Sequence, residues 1–334
     1  MKKLSLRFTI FQPFDVFLHP EKKISDMKTQ RSSFIGHVAC FIAYAIFGVN
    51  IVTCKDMTAG DVLSPLAIFC FRAIGAGGLF WIISLFMPRE RVENKDYIRI
   101  FIASMLGFFG TQMTFLIAIR LITPMESSIV SSMSPIFTMI IAAIALHEPI
   151  TTRKAGGVAL SFAGIVWLII SSEYSAGANM EMSTFFQGDH IVGILLILAN
   201  CIFFSLYLGI FRPLIGKYHV VTFMKWIFLF SLIPSLPFAI GEMLTEDYAA
   251  WTPSFTAELL YLIVCATFIS YFLIPVGQKR IRPTLVSMYS YVQPIIAIAI
   301  SIWIGMDELS WGKVIAAVMV FGGLALVTFS RAKS

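Results

Sequence analysis

Apolar residues along this chain fall in long runs, each separated from the next by a short polar break. Each run is about 20 residues long, the length an α-helix needs to cross the hydrocarbon core of a bilayer. Membrane β-strands alternate apolar and polar residues and extend for only about ten residues, so the runs do not fit a barrel. The pattern predicts ten membrane-spanning helices, numbered here as segments 1 to 10: residues 34–53, 62–86, 97–119, 125–146, 153–171, 190–211, 220–240, 255–277, 283–304 and 311–330.

The composition supports a membrane protein with little else attached. Of the 334 residues, 58% are hydrophobic and 13% are charged, whereas soluble domains contain about 45–50% apolar and about 25% charged residues. The mean hydropathy is +0.84. Ten spans would take up about 200 residues, so the rest of the chain supplies termini and loops. The composition therefore argues against a soluble enzyme, a nucleic-acid-binding protein and a secreted disulfide-rich protein.

The net charge of +6 predicts an orientation in the membrane. Lys and Arg concentrate in the cytoplasmic loops of membrane proteins. Most of the 25 basic residues lie in loops that ten spans would place on one side, together with both termini. The opposite side holds Lys55, Arg120 and Lys313, while Arg72 and Lys225 fall inside segments. We expect the N and C termini to be cytoplasmic, and no nucleic acid partner.

Residues 1–33 precede the first segment and are predicted to form a cytoplasmic N-terminal arm. A charged stretch, residues 20–23, follows the apolar residues of the arm where a secretory signal would have a small-residue cleavage site. The arm is an unstructured segment, an extension from a mis-called start with the true beginning at residues 27–28, or a membrane-surface segment anchored by its phenylalanines. The five cysteines lie in or beside segments without C-x-x-C spacing, so the sequence predicts no disulfide framework, no metal and no cofactor.

The two halves of the chain resemble each other. At a constant offset of 159, Pro124 aligns with Pro283, Ser131 with Ser290, and Pro135 with Pro294. At an offset of 157, Phe47 aligns with Phe204. Because each copy has five spans, the second copy must enter the membrane with the opposite sense. We therefore expect two inverted five-helix repeats, residues 34–171 and 190–330, and such repeats are typical of secondary transporters.

The chain resembles the drug/metabolite transporter superfamily, specifically its EamA-type ten-span members. The resemblance covers residues 34–330 and rests on short motifs in both copies: 46–50, 64–65 with Arg72, 131–137, 147–148, 156 with 163–164, 292–295, 307–308 and 322–323. It departs from the family at Phe47, where Trp is common, and at Arg120 and Glu126, which flank segment 4. The resemblance implies a bacterial inner-membrane carrier that exports amino acids or other metabolites by alternating access.

A polar solute needs polar side chains that face a cavity, because lipid-facing ones are costly. Ser127, Ser131, Ser134 and Thr138 form one stripe of segment 4, with Gln293 as the repeat mate of Ser134. These hydroxyls either line a cavity or allow close helix packing. The predicted substrate-binding residues are polar side chains inside the segments: Asn50, Arg72, Gln112, Ser131, Ser134, Asn200, Tyr207, Tyr271, Tyr289 and Gln293.

Two charged residues and two prolines have alternative interpretations. Arg72 either binds a substrate carboxylate or is neutralised near the rim of the membrane. Glu126 is the candidate for proton coupling, although a carboxylate in the first turn of a helix also stabilises the helix N-terminus. Pro135 and Pro294 are predicted to bend their helices, with or without a role in gating.

The sequence leaves four functions open. The first is a secondary carrier for an amino-acid-like or organic-acid-like metabolite, acting as a monomer or a weak homodimer. A nucleotide-sugar or phosphate-ester exchanger should have several basic residues facing the cavity. A membrane enzyme should show clustered His, Asp or Glu residues or a catalytic motif, and no such motif is present. A receptor or scaffold would leave the repeat unexplained.

Overall fold

The computed structural model describes residues 20–59, 62–146, 151–175 and 188–328, which form helices joined by short connections. Each of the ten predicted segments coincides with helical structure. The helices, including π and 3-10 turns, are Pro20–Ala59, Pro65–Leu85, Asn94–Ser104, Met105–Gly110, Thr111–Leu121, Pro124–Ser131, Ser134–Leu146, Thr152–Ser175, Asp189–Ile210, Arg212–Lys217, Val220–Thr245, Tyr248–Ala250, Pro253–Tyr261, Leu262–Ile269, Ser270–Gln278, Pro283–Met288, Tyr289–Tyr291, Val292–Trp303 and Trp311–Thr328. Residues 1–19 of the predicted arm and the motif at 147–148 lie outside the described residues.

Eight helices in the described part of the chain are long and apolar enough to cross a membrane, and they correspond to segments 1, 2, 3, 5, 6, 7, 8 and 9. Segment 4 is divided into two shorter helices, Pro124–Ser131 and Ser134–Leu146. Segment 10 contains a shorter apolar helix, Trp311–Val327. Large apolar side chains point outward from the bundle, among them Phe86, Phe238 and Trp303, each at least 81% exposed. Such a surface is suited to lipid and costly in water.

The helices of the two halves pack in matching ways. Segment 1 packs against segments 8 and 9, and segment 6 packs against segments 3 and 4. Segment 2 packs against segment 7, and segment 5 against segment 10. Exchanging the halves turns the pairings of segment 1 into those of segment 6, and leaves the pairing of segments 2 and 7 and that of segments 5 and 10 unchanged. The bundle therefore places segments 1, 3, 4, 6, 8 and 9 around its centre.

Irregular turns occur at equivalent places in the two halves. Segment 3 contains the π-helical turn Met105–Gly110, and segment 8 contains Leu262–Ile269. Their ends, Gly110 and Ile269, are 159 positions apart, the repeat offset. π turns inside α-helices are frequent at functional sites because they widen the helix and redirect the next side chains.

The breaks in segments 4 and 9 also match, and each is followed by a proline. Pro135 is the second residue of Ser134–Leu146, and Pro294 is the third residue of Val292–Trp303. A proline fits the first turn of a helix because its missing N–H has no partner to lose there. The two prolines thus lie in the first turn of the second half of a broken helix. At the break in segment 4, the carbonyl of Ser131 accepts a hydrogen bond from Ser134 Oγ at 2.9 Å.

Segments 5 and 10 are in contact through their glycines. A Cβ atom added to Gly157 would lie 2.4 Å from the carbonyl oxygen of Gly323. Ser161 Oγ donates a hydrogen bond to the carbonyl of Val320 at 3.1 Å. Small residues allow helices to approach closely inside a membrane, and this contact joins the two halves at a distance from the centre of the bundle.

Candidate functional site

A cavity lies at the centre of the bundle between the two halves. It encloses about 590 Å³ of space between atoms, the part that opens to solvent included. Its walls come from segments 1, 3 and 4 of the first half and from segments 6, 8 and 9 of the second: Tyr44, Phe47, Asn50, Thr111, Gln112, Phe115, Ser131, Ser134, Asn200, Phe204, Tyr271, Ser290 and Gln293.

Seven of the ten predicted substrate-binding residues lie together in this wall: Asn50, Gln112, Ser131, Ser134, Asn200, Tyr271 and Gln293. The π turns position two of them. Gln112 and Tyr271 each follow the end of a π turn by two residues. Gln112 Nε2 donates a hydrogen bond to the hydroxyl oxygen of Tyr271 at 2.7 Å. These two side chains connect the halves of the chain across the cavity.

The amide of Asn200 is used in a second contact near the cavity. Its Nδ2 donates to the carbonyl of Thr111 at 2.5 Å. Asn50 Oδ1 accepts from Cys54 Sγ at 3.6 Å. The asparagines are therefore fixed by contacts within the protein while they remain part of the cavity wall.

Three buried polar atoms of the wall find no hydrogen-bond partner among the described residues: Tyr44 OH, Gln112 Oε1 and Ser290 Oγ. A buried polar group without a partner costs about 1–3 kcal/mol. These atoms could make their hydrogen bonds with a bound solute or with water.

The cavity combines uncharged polar groups with aromatic faces. None of the described residues that line it carries a formal charge. Its aromatic rings are in mutual contact, for example Phe47 with Tyr271 at a centroid distance of 6.1 Å and Tyr44 with Phe47 at 5.9 Å. Such a wall suits an amphipathic solute whose charges are absent or compensate one another.

The remaining three predicted substrate-binding residues lie outside the wall. Tyr207 is 3% exposed, and its ring fills the space beside Gly107, where an added Cβ would be 2.3 Å from Tyr207 Cδ2. The hydroxyl of Tyr289 is hydrogen bonded to His37 Nδ1 at 2.7 Å. Arg72 is fully buried between segments 1, 2 and 8. Tyr207 therefore packs against Gly107, and the hydroxyl of Tyr289 already has a hydrogen-bond partner.

The stripe predicted on segment 4 is divided by the helix break. Ser131 and Ser134 line the cavity. Thr138 Oγ1 donates to the carbonyl of Ser134 at 2.9 Å and to Ser205 Oγ at 3.1 Å, so it joins segment 4 to segment 6. Ser127 is buried outside the cavity wall.

Glu126 lies at the beginning of segment 4, away from the cavity. It forms a capping box with Thr123, in which Thr123 N–H donates to Glu126 Oε2 at 3.0 Å. Its Oε1 is 3.3 Å from His190 Nε2. The same helix end is held by Asp307, whose Oδ2 accepts from the N–H of Met125 at 2.9 Å.

The sequence did not single out Tyr44, Thr111 and Phe115 as parts of the site. Tyr44, Phe47 and Asn50 follow one another at a spacing of three, so one helix face joins them, and that periodicity was the available signal. Thr111 precedes Gln112 directly. A π turn is needed to bring both to the wall, and its position is not visible in the apolar pattern.

The chain is similar to proteins that are named as transporters. A profile of the EamA-like transporter family matches residues 34–170 and 191–329. The chain is 30% identical to an "Uncharacterized transporter" of Archaeoglobus fulgidus over 53% of this chain and 58% of that relative. It is 24% identical to the "Uncharacterized transporter YetK" of Bacillus subtilis over 91% of this chain and 89% of that relative. A solved crystal structure superimposes with a TM-score of 0.61 over 90% of this chain and 98% of the other, at 18% identity, which shows a shared fold.

Proposed function

The chain belongs to the EamA-like transporter family, and from this premise we propose that it is a secondary transporter that exports a small amphipathic metabolite by alternating access. The observation that carries the proposal is the central cavity, which both halves line with equivalent segments. Two halves of opposite orientation can exchange roles around a fixed site, so the cavity can open to either side in turn. We place the protein as a ten-span protein in a bacterial inner membrane, with cytoplasmic termini.

The cavity supports an amino-acid-like solute. Its wall offers Tyr44, Gln112 and Ser290 for hydrogen bonds and several rings for an apolar part. An amino acid carries opposite charges that compensate each other, which suits a wall without formal charge. An organic-acid-like solute remains within the proposal and would depend on Arg72.

The nucleotide-sugar or phosphate-ester exchanger is less well supported. Phosphate groups are bound by Arg and Lys side chains, and the described wall supplies none. The described residues contain no group of three or more His, Cys, Asp or Glu side chains suited to hold a metal ion.

A flux assay in proteoliposomes tests the transport function. The purified full-length protein would be reconstituted and offered a panel of radiolabelled amino acids and related acids, with and without a pH gradient. We expect saturable flux of at least one solute, competed by its unlabelled form. Flux no greater than in protein-free vesicles, for every solute and in both directions, would contradict the proposal.

Proton coupling through Glu126 is a separate part of the proposal. Glu126→Gln should abolish uptake driven by a pH gradient and spare exchange of labelled for unlabelled solute. The exposed Glu308→Gln is the matched control and should leave both unchanged. Unaltered proton dependence in Glu126→Gln would contradict a coupling role and leave Glu126 only its capping box and its contact with His190.

The orientation can be tested by labelling. Cysteines introduced at position 90, between segments 2 and 3, and at position 308, between segments 9 and 10, should react with a membrane-impermeant maleimide from opposite sides of the membrane. Reaction from the same side would contradict the ten-span arrangement.

A further inference from the structure

Arg72 is a buried cation whose hydrogen bonds are incomplete. Its side chain is 0% exposed. Nε donates to Thr267 Oγ1 at 2.7 Å, and Nη1 has only the sulfur of Cys54 at 4.0 Å. Nη2 has no partner among the described residues. The guanidinium therefore has two nitrogens on one edge with little or nothing to bind.

No described carboxylate forms an ion pair with Arg72. A charged side chain in the membrane interior is costly unless it is paired, and removal of a guanidinium from water is repaid only by good ionic geometry. The side chain cannot easily turn toward lipid at this place. Segments 2 and 8 are in contact one turn along, where a Cβ on Gly75 would lie 2.5 Å from Ile263 Cγ2.

Both neighbours of the guanidinium lie one helical turn from the cavity. Cys54 follows Asn50 by four residues on segment 1, and its Sγ donates to Asn50 Oδ1 at 3.6 Å. Thr267 precedes Tyr271 by four residues on segment 8. Asn50 and Tyr271 line the cavity. Arg72 therefore lies directly behind the wall, toward the end of segment 1 that carries Lys55.

We propose that Arg72 is a second substrate station, which binds the carboxylate of the transported solute as it moves from the cavity toward the Lys55 end of segments 1 and 8. The free edge of a guanidinium binds a carboxylate through two parallel hydrogen bonds. The cavity wall has no charge to select an acid, so this station supplies the selection. The inference rests on the proposed transport function and adds a substrate requirement to it, namely a carboxylate.

Anion binding can be measured without transport. The purified full-length protein would be titrated with benzoate, with uncharged benzamide and with chloride at constant ionic strength, and its thermal midpoint recorded. We expect benzoate at saturation to raise the midpoint by about 3 °C or more, with little effect from benzamide or chloride. Arg72→Gln should abolish the benzoate shift, whereas Arg72→Lys should keep a weaker one because it retains the charge and loses the planar fork.

Two further variants guard against trivial outcomes. Lys225→Gln removes the other basic residue predicted inside a segment, which lies 4.8 Å from the ring of Trp81, and should keep the full benzoate shift. Thr267→Val keeps Arg72 and removes the hydroxyl that orients it, so the benzoate concentration for half-maximal shift should rise several-fold. This variant carries the test if Arg72→Gln does not fold.

Three results would overturn the proposed station at Arg72: no benzoate shift in the wild type, an equal shift in wild type and Arg72→Gln, or a chloride shift as large as that of benzoate, which would indicate an inorganic anion.

A flux measurement separates this inference from the transport function. Because the cavity is rich in rings, the probes are L-phenylalanine and L-phenylalaninamide. Arg72→Gln should lose at least tenfold of the preference for the acid. Absence of flux of both probes in the wild type would count against the transport proposal, while the benzoate titration would still decide the station.

Discussion

Gln112 and Tyr271, 159 positions apart, meet at 2.7 Å in the middle of the molecule. The two residues occupy the same place in the two halves, each two residues after the end of a π turn. The hydrogen bond therefore lies where the halves meet, in the wall of the cavity. It uses the Nε2 donor of Gln112 and leaves Oε1 available to a solute.

Tyr271→Phe should weaken solute binding. It removes the partner of Gln112 Nε2 and frees the amide to turn, at a cost of about 1 kcal/mol for one neutral hydrogen bond. The KM for the transported solute should rise about 5-fold. Gln112→Leu should have a similar effect, and the double variant should cost less than the sum of the two. Tyr248→Phe, an exposed tyrosine outside the cavity, is the control. Full additivity in the double variant would show that the pair is not coupled.

Pro135→Ala should impair transport more than stability. The restored N–H could donate to the carbonyl of Ser131, which now accepts from Ser134 Oγ, and the break in segment 4 would close. We expect flux to fall several-fold, with a thermal midpoint equal to that of the wild type or above it, since Ala favours a continuous helix. Pro124→Ala, at the first position of its helix, should change neither. Wild-type flux in Pro135→Ala would show that the break is not needed for transport.

Asp307→Asn should destabilise the fold. Asp307 Oδ1 is 2.8 Å from Lys313 Nζ, and both side chains are largely buried. Loss of one partner of a buried pair costs about 3–5 kcal/mol because the other charge is left alone. The thermal midpoint should fall by several degrees and recover in part in Asp307→Asn with Lys313→Met, which removes both charges. If the double variant is less stable than the single one, the ion pair is not the cause.

Gly157→Ala should be far more damaging than Gly156→Ala. A Cβ at position 157 would lie 2.4 Å from the carbonyl of Gly323, while one at position 156 meets nothing within 4 Å. Overpacking at such a contact costs about 1–3 kcal/mol, whereas Ala at the open site should be neutral or slightly stabilising. Thermal midpoints of the two variants provide the comparison. Similar midpoints would mean that segments 5 and 10 do not pack as described.

The loop before segment 3 and the loop before segment 7 are joined by an ionic contact of Lys217, which should be lost in acid. Lys217 Nζ is 2.6 Å from Asp96 Oδ2 and also pairs with Glu93. Hydrogen bonds with Asp96 and then Glu93 raise the pKa of Lys217 above its ordinary range. The hydrogen bond from Lys217 lowers the pKa of Glu93.

The signs of these two shifts define the pH range. A raised lysine pKa stabilises the fold at every pH below the ordinary value of about 10.4, and a lowered glutamate pKa stabilises it above about pH 4.3. The difference in thermal midpoint between wild type and Lys217→Met should be constant from about pH 5.5 to pH 9 and should shrink as the pH falls below about 4. Lys95→Met, whose partner Glu93 keeps Lys217, is the control and should show a smaller difference. A difference that grows in acid would contradict this assignment.

The helical class, the positions of the ten apolar segments and the internal repeat follow from the sequence, because length, hydropathy and a constant offset are properties of the chain alone. The sequence also indicated most of the polar side chains in the cavity wall, since a polar side chain in an apolar segment is costly unless it faces a cavity. Asn50, Gln112 and Gln293 were found in this way.

Which of those side chains share a wall depends on how the helices pack. The π turns rotate Gln112 and Tyr271 into contact, and the break before Pro135 divides the serine stripe of segment 4. Tyr207 and Tyr289 have the same polarity as Tyr271. The ring of Tyr207, however, packs beside Gly107, and the hydroxyl of Tyr289 is hydrogen bonded to His37. Arg72 has the hydrophobic context of a site residue, but the direction of its side chain places it behind the wall. Helix rotation and neighbouring helices set these outcomes, and neither is encoded in the local pattern of one segment.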